Sequence, residues 1–225
     1  MRVSDIVDVK LLERRNPVMT MYHGTTDKFL PSIRRDGLLP ESGNKSFHTD
    51  EFDQSFGGIY LTNSLELADL AGIAAARRHG GHSIIVQVQY VQTSGVLDED
   101  RYQLDLINEI QDRYPEPITR DLVQSVFSSV FGRIGVTNNL KLIELIYYYM
   151  RLAYEFIEDY EVDDPFDIET ESFMANGQLR KLSVAISDAV RAPSNSLSVR
   201  VRHAIGYRGR TRIVRIFDPV TQEDV

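Results

Sequence analysis

Met21-Tyr22-His23-Gly24-Thr25-Thr26 and, farther along, Gly57-Gly58-Ile59-Tyr60-Leu61-Thr62 are the two stretches that decide how this chain is read. Each has the look of a short strand that delivers one polar aromatic side chain to a cleft. In the first, Met21 and Tyr22 form the strand end, His23 is its polar tip, and Gly24 lets a backbone or a ligand approach closely. In the second, Gly57-Gly58 opens a bend and Ile59-Tyr60-Leu61 alternates like a half-buried strand. Between them, Lys28 to Leu38 carries helical spacing through Leu30 and Ile33 and ends at Gly37, as helices often end at glycine. Beyond them, Ser64 to Arg78 predicts a helix whose alanines (Ala68, Ala71, Ala74, Ala75, Ala76) suit close packing on a sheet. Gly80-Gly81 ends it, and Ser83 to Tyr90 predicts another strand. The order is strand, helix, strand, helix, strand.

The chain of 225 residues is long enough to bury a sizeable core as one domain or one domain with an elaboration. It has no apolar run near the roughly 18 residues of a membrane span, and Met1-Arg2-Val3-Ser4-Asp5 begins no signal peptide, so the cytoplasm is the expected compartment. Without cysteine there is no disulfide framework, thiolate nucleophile or cysteine metal site. The net charge of −8 argues against broad nonspecific nucleic-acid binding. The charge is uneven, however. From Asp98 to Glu171 there are 18 acidic side chains against 6 basic ones, while Arg191 to Arg215 holds 7 arginines and no acid. Most of those arginines read as a solvated face; one or two could line a site for an anionic ligand, because guanidinium suits phosphate oxygens.

Taken in order, Ser4 to Arg15 predicts a short helix with Ile6, Val7, Leu11 and Leu12 on one face, stopped by Asn16-Pro17. Lys45 to Phe56, with Ser46, His48, Thr49, Asp50 and Asp53, has no clean period and reads as a loop beside the cleft. Val96-Leu97-Asp98 is a strand end. The chain then changes character: Leu104–Tyr114, Thr119–Phe131, Asn139–Ile157 and Gly177–Arg191 predict helices, separated by Pro115, Pro117, Gly135 and Pro165, with Glu158 to Glu171 as an exposed acidic linker. Leu197–Val201, Ala204–Tyr207 and Thr211–Phe217 predict strands. The expectation is an α+β fold, one domain over 1–225 whose sheet is interrupted by a helical insertion at about 98–191.

Singly, the chemical signals are plain. A His before Gly is usually structural, and a Tyr in a strand is usually core. His23, His48, His79, His82 and His203 show no metal-ligand spacing. No nucleophile elbow, P-loop or dinucleotide glycine fingerprint is present.

In combination, Tyr22-His23-Gly24-Thr25, then Ile33 and Gly37-Leu38, then Gly58-Ile59-Tyr60-Leu61-Thr62, then an alanine-rich helix and a strand, resembles the ADP-ribosyltransferase fold. The pattern is most similar to the diphtheria-toxin and poly(ADP-ribose) polymerase branch with its His-Tyr-Glu signature. The resemblance spans Val18 to Tyr90 and, more loosely, Leu197 to Phe217. It implies a split, twisted sheet and NAD as substrate, with no metal. It further implies that His23 hydrogen-bonds a ribose of NAD, that main-chain groups of Gly24 bind the carboxamide with the Thr25 hydroxyl nearby, and that Tyr60 packs on nicotinamide. Thr62 and Ala68 fall at further NAD-contacting positions, but the chain departs from the branch in lacking its second tyrosine, which would fall where Ala68, Leu70 and Ala71 stand. The implied activity is mono-ADP-ribosylation of a macromolecule; the net acidity favours protein over nucleic acid as the acceptor, while an arginine-lined cleft would accept RNA or DNA locally.

The third signature residue should lie near Ser198 to Arg202, where this chain has no acid. Arg200, Arg202 and His203 are the candidates for that position. Glu169-Thr170-Glu171 imitates the Glu-x-Glu of arginine-modifying toxins and is read as coincidence in so acidic a run. Two alternatives stay open. RNA 2′-phosphotransferases also begin with His-Gly-Thr and use arginines, but they place a histidine where this chain has Tyr60, and they carry an N-terminal region for which the residues before Asn16 leave no room. The fold could also serve as an NAD- or ADP-ribose-binding module without turnover.

Overall fold

The computed structural model describes residues 18–40, 57–113, 117–136, 139–160, 170–192 and 197–225. The expected helix at Ser4–Arg15, the loop at Lys45–Phe56 and most of the acidic linker lie outside them.

Six strands form one open antiparallel sheet: β1 (Val18–Thr26), β2 (Ile59–Thr62), β3 (Ser83–Val91), β4 (Val96–Leu97), β5 (Ser198–Val201) and β6 (Arg212–Phe217), in the order β4-β5-β2-β1-β3-β6. Alternation explains the central strand. Ile84, Val86, Val88 and Tyr90 of β3 point into the main core, while Ile85 points to the other face, against Ala68 and Phe217. The same parity puts Ile59 and Leu61 of β2, with Val199 and Val201 of β5, in the main core. Tyr60 and Arg200, partners across β2 and β5, therefore share the opposite face.

The sheet is not joined evenly. β1 pairs with β3 along its whole length, from Val18↔Val91 to Thr26↔Ser83. Towards β2 it makes the single pair Tyr22↔Thr62. Backbone groups that face β2 beyond that pair are thus available to other partners.

Two helices flank the first half. α1 (Leu30–Asp36) follows a 3-10 turn and is stopped at Gly37, whose φ of 79° suits glycine. α2 (Leu65–His79) is capped by Ser64, whose hydroxyl accepts from Leu67 N, and ends at Gly80. A Cβ on Gly24 would lie 1.6 Å from the Ala68 carbonyl oxygen and 2.6 Å from Gly72 N. The absent side chain of Gly24 therefore makes room for the backbone of α2.

The second half adds α3 (Glu99–Gln111), α4 (Arg120–Val130), α5 (Leu140–Tyr160) and α6 (Thr170–Ala189) between β4 and β5. One continuous apolar cluster runs from Met21 and Val86 on the sheet through Leu97 to Leu106, Val123, Ile146 and Ile186 of these helices. Three expectations need correction. α3 starts at Glu99 rather than Leu104, because the Asp98 carboxylate accepts from Asp100 N and Arg101 N and starts the helix there. α6 starts at Thr170 rather than Gly177, so Thr170 and Glu171 are helical rather than linker. Ala204–Tyr207 is not a strand: it makes one antiparallel bridge, Leu38↔Ile205, closed by two backbone bonds of 2.9 Å. Among the described residues no helix is long and apolar enough to cross a membrane.

Gly24→Ala is expected to lower stability by about 3 kcal/mol, since its new methyl meets rigid backbone. Gly72→Ala is expected to cost about 1 kcal/mol, because the nearest obstacle is the Ser83 hydroxyl at 2.2 Å, which can rotate away from its bond to Asp69. Urea unfolding of both variants checks the contrast.

Candidate functional site

His23 and Tyr60, apart in sequence, meet where β1 and β2 part. His23 Nδ1 lies 2.9 Å from the carbonyl oxygen of Tyr60. A carbonyl only accepts, so Nδ1 carries the proton and donates. Burial lowers the imidazole pKa below its ordinary value, outweighing the bond to Tyr60, which raises it. At neutral pH the ring is therefore neutral and its Nε2 is an acceptor. A neutral acceptor on a partly exposed residue is suited to bind a hydroxyl.

Tyr60 is held from the other end. Its hydroxyl donates to Glu99 Oε1 at 2.9 Å, and Arg200 Nε donates to Glu99 Oε2 at 2.8 Å. Glu99 is 0% exposed and Arg200 1%. Burial raises the Glu99 pKa while Arg200 lowers it. The close guanidinium contact has the geometry of an ion pair. Burial together with Glu99, Asp100 and Asp98 pushes the Tyr60 hydroxyl pKa far up, so it stays protonated and donates.

The surrounding elements fix this group. Arg180, Ser183 and Ser187 recur at helical spacing on α6 and face the β4–α3 junction. Arg180 lies 3.3 Å from an Asp100 oxygen, Ser183 donates to the Glu99 carbonyl at 2.5 Å, and Ser187 donates to the Leu97 carbonyl. Next to Glu99, Ser198 of β5 donates to Asp98 at 2.6 Å, and burial with the neighbouring Asp100 raises the Asp98 pKa to about 6. Gly58 has its role here as well: a Cβ on it would lie 2.7 Å from Arg200 Cγ, so the glycine admits the arginine stem.

The other expected residues fall as follows. Thr25 is buried. Thr62 donates to the Leu197 carbonyl at 2.8 Å and accepts from Ser64 N at 3.1 Å, which engages its hydroxyl in the fold. Ala68 is 1% exposed beneath Gly24. The close approach at Gly24 on that face is made by α2, which leaves only main-chain groups of Gly24 for a ligand. Arg200 is enclosed by Glu99. Arg202 pairs with Asp188 at 2.5 Å on the surface, beyond the last β2–β5 pair Ile59↔Val201, and His203 next to it is exposed. The acid beside Tyr60 is Glu99, from the start of the insertion, which sequence reasoning left in a loop. Its signal was the helix cap at Asp98, followed by two acidic residues in the first turn.

Among the described residues no group of His, Asp and Glu is arranged to hold a metal ion. Comparison with known proteins finds no matching family model, no significantly similar curated protein and no significantly similar solved structure. The functional reading therefore rests on this chain's own residues.

Glu99→Gln removes the buried carboxylate charge that Arg200 Nε and the Tyr60 hydroxyl share and is expected to cost about 3 kcal/mol or more. Tyr60→Phe removes one hydrogen bond while Arg200 still holds the carboxylate, at an expected cost of about 1 kcal/mol. Chemical denaturation of the two variants measures the difference, and equal losses would contradict the central place given to the ion pair.

Proposed function

We propose that this protein transfers a single ADP-ribosyl group from NAD to a macromolecular acceptor, on a sheet of the split kind found in ADP-ribosyltransferases. The observation that carries the reading is the contact of His23 Nδ1 with the Tyr60 carbonyl at the place where β1 and β2 part. It joins the His23 ring to the main chain of Tyr60 and leaves the histidine with one acceptor nitrogen. The donor set is compatible with NAD. His23 Nε2 would accept from a ribose hydroxyl, main-chain groups of the Gly24 strand would meet the carboxamide, and the Tyr60 ring would form the flat wall for nicotinamide. NAD would supply an anomeric carbon whose bond to nicotinamide breaks as the acceptor's nucleophile forms a new one. The protein's share is positioning and electrostatics.

Glu99 acts through Tyr60 in this reading. Both carboxylate oxygens are engaged and the residue is enclosed, so it holds the ring in place rather than touching the acceptor. An enclosed carboxylate also favours one transfer over the growth of a polymer. The engagement of Arg200 by Glu99 counts against the 2′-phosphotransferase alternative, which needs arginines free to bind phosphate.

Incubation with labelled NAD and with protein and nucleic-acid pools tests the proposal. Label should pass to an acceptor with the wild type, fall by at least about tenfold in Tyr60→Ala, and disappear in His23→Ala. NAD binding without transfer, or removal of a 2′-phosphate from RNA without use of NAD, would overturn it.

A further inference from the structure

The arginine-rich end of the chain divides into engaged and unengaged residues. Arg200 is inside the fold, Arg202 pairs with Asp188, and Arg215 pairs with Asp224 and donates to the Gln222 carbonyl at 2.5 Å. Arg208, Arg210 and Arg212 are exposed, and no carboxylate among the described residues pairs with them. All three lie on or at the end of the loop from β5 to β6, which contains no acid.

The same loop carries Tyr207, 45% exposed. Its hydroxyl lies 3.3 Å from the Ile33 carbonyl, which tethers one edge of the ring to α1 and leaves the rest at the surface. Beside it opens a cleft of about 490 Å³, lined by Tyr207, Val214 and Ile216 together with Arg34 and Arg215. The cleft's own two arginines are tied to the C-terminal segment, Arg34 through the Val225 carbonyl at 2.5 Å and Arg215 through Asp224. The arginines without a carboxylate partner among the described residues are those of the loop that carries Tyr207.

We propose that the β5–β6 loop is a docking surface for single-stranded nucleic acid. Arg208, Arg210 and Arg212 meet the phosphates, and a base stacks on Tyr207 at the mouth of the cleft. The chemistry favours nucleic acid over an acidic protein. Every cation on this face is arginine, and from Arg191 onward the chain has no lysine. Guanidinium groups both fork onto phosphate and stack on bases, and an exposed tyrosine offers a second flat surface. An acidic peptide would use the charges and leave the ring without a partner. The net charge of −8 does not oppose this, because the loop itself carries no acid and charges beyond about 8 Å are largely screened at physiological salt. The surface stands independently of ADP-ribosyl transfer, and its test uses no NAD.

Fluorescence anisotropy of labelled single-stranded RNA and DNA oligonucleotides with the full chain, from about 50 to about 200 mM salt, is the experiment. Affinity should fall as salt rises. The triple variant Arg208→Gln/Arg210→Gln/Arg212→Gln should bind at least about tenfold more weakly, with a salt slope shallower by about 2. Tyr207→Leu should weaken binding several-fold at an unchanged slope. Because the three arginines are exposed, thermal unfolding of the triple variant should coincide with that of the wild type. Absence of binding at low salt, an unaffected triple variant, or equally tight binding of a polyglutamate peptide of the same length would overturn the proposal.

Discussion

The buried ion pair between Glu99 and Arg200, with the Tyr60 hydroxyl on the same carboxylate, is the constraint on which the rest depends. Enclosing two charges carries a desolvation penalty of several kcal/mol per ion, and only good geometry with further hydrogen bonds offsets it. Here the geometry is supplied from four directions. β2 brings Tyr60, β5 brings Arg200, the start of α3 brings Glu99, and α6 holds the β4–α3 junction through Arg180, Ser183 and Ser187. The pair adds little net stability over an apolar equivalent. Its effect is specificity: Tyr60 cannot turn away without leaving an unsatisfied carboxylate oxygen in the interior.

The helical insertion thereby becomes part of the site. Its first residues cap α3 and present Glu99, and its last helix fastens that junction. On the other side of the β1–β2 parting, α2 lies so close to β1 at Gly24 that no side chain fits. β1 is consequently pinned to α2 and β3, while β2 is pinned to β5 and Glu99. The two halves meet at Tyr22↔Thr62, and the His23 ring bridges them just beyond. Beyond that pair the ladder between β1 and β2 stops.

Much of this was legible in the sequence where short-range signals decide. β1, α1, β2, α2 and β3 were readable because caps and glycines at Gly37, Ser64 and Gly80 bound clean alternation or helical spacing. The contact of the His23 ring with the main-chain carbonyl of Tyr60 had no sequence signal of its own. What failed was long-range. Nothing local in Asp98-Glu99-Asp100 says that the middle carboxylate is enclosed while Asp98 caps the helix, because that depends on Arg200, which arrives a hundred residues later. Arg202 and His203 looked equivalent to Arg200 in sequence, and the alternation of β5 with the end of β2 separated them. Gly24 reads as a place of close approach by a backbone or a ligand, and the backbone of α2 makes such an approach; Gly58, read as a bend, also admits the Arg200 stem.

His23 is a neutral imidazole, with Nδ1–H bound to the Tyr60 carbonyl and Nε2 as the acceptor proposed for a ribose hydroxyl of NAD. Nitrogen-15 NMR of the histidine ring, followed through a pH titration and then with added NAD, tests this most directly. The account predicts a protonated Nδ1 and an unprotonated Nε2 at neutral pH, a titration midpoint below about 6.5, and a shift of Nε2 when NAD is added. The opposite tautomer, a raised midpoint, or an Nε2 resonance that ignores saturating NAD would contradict it.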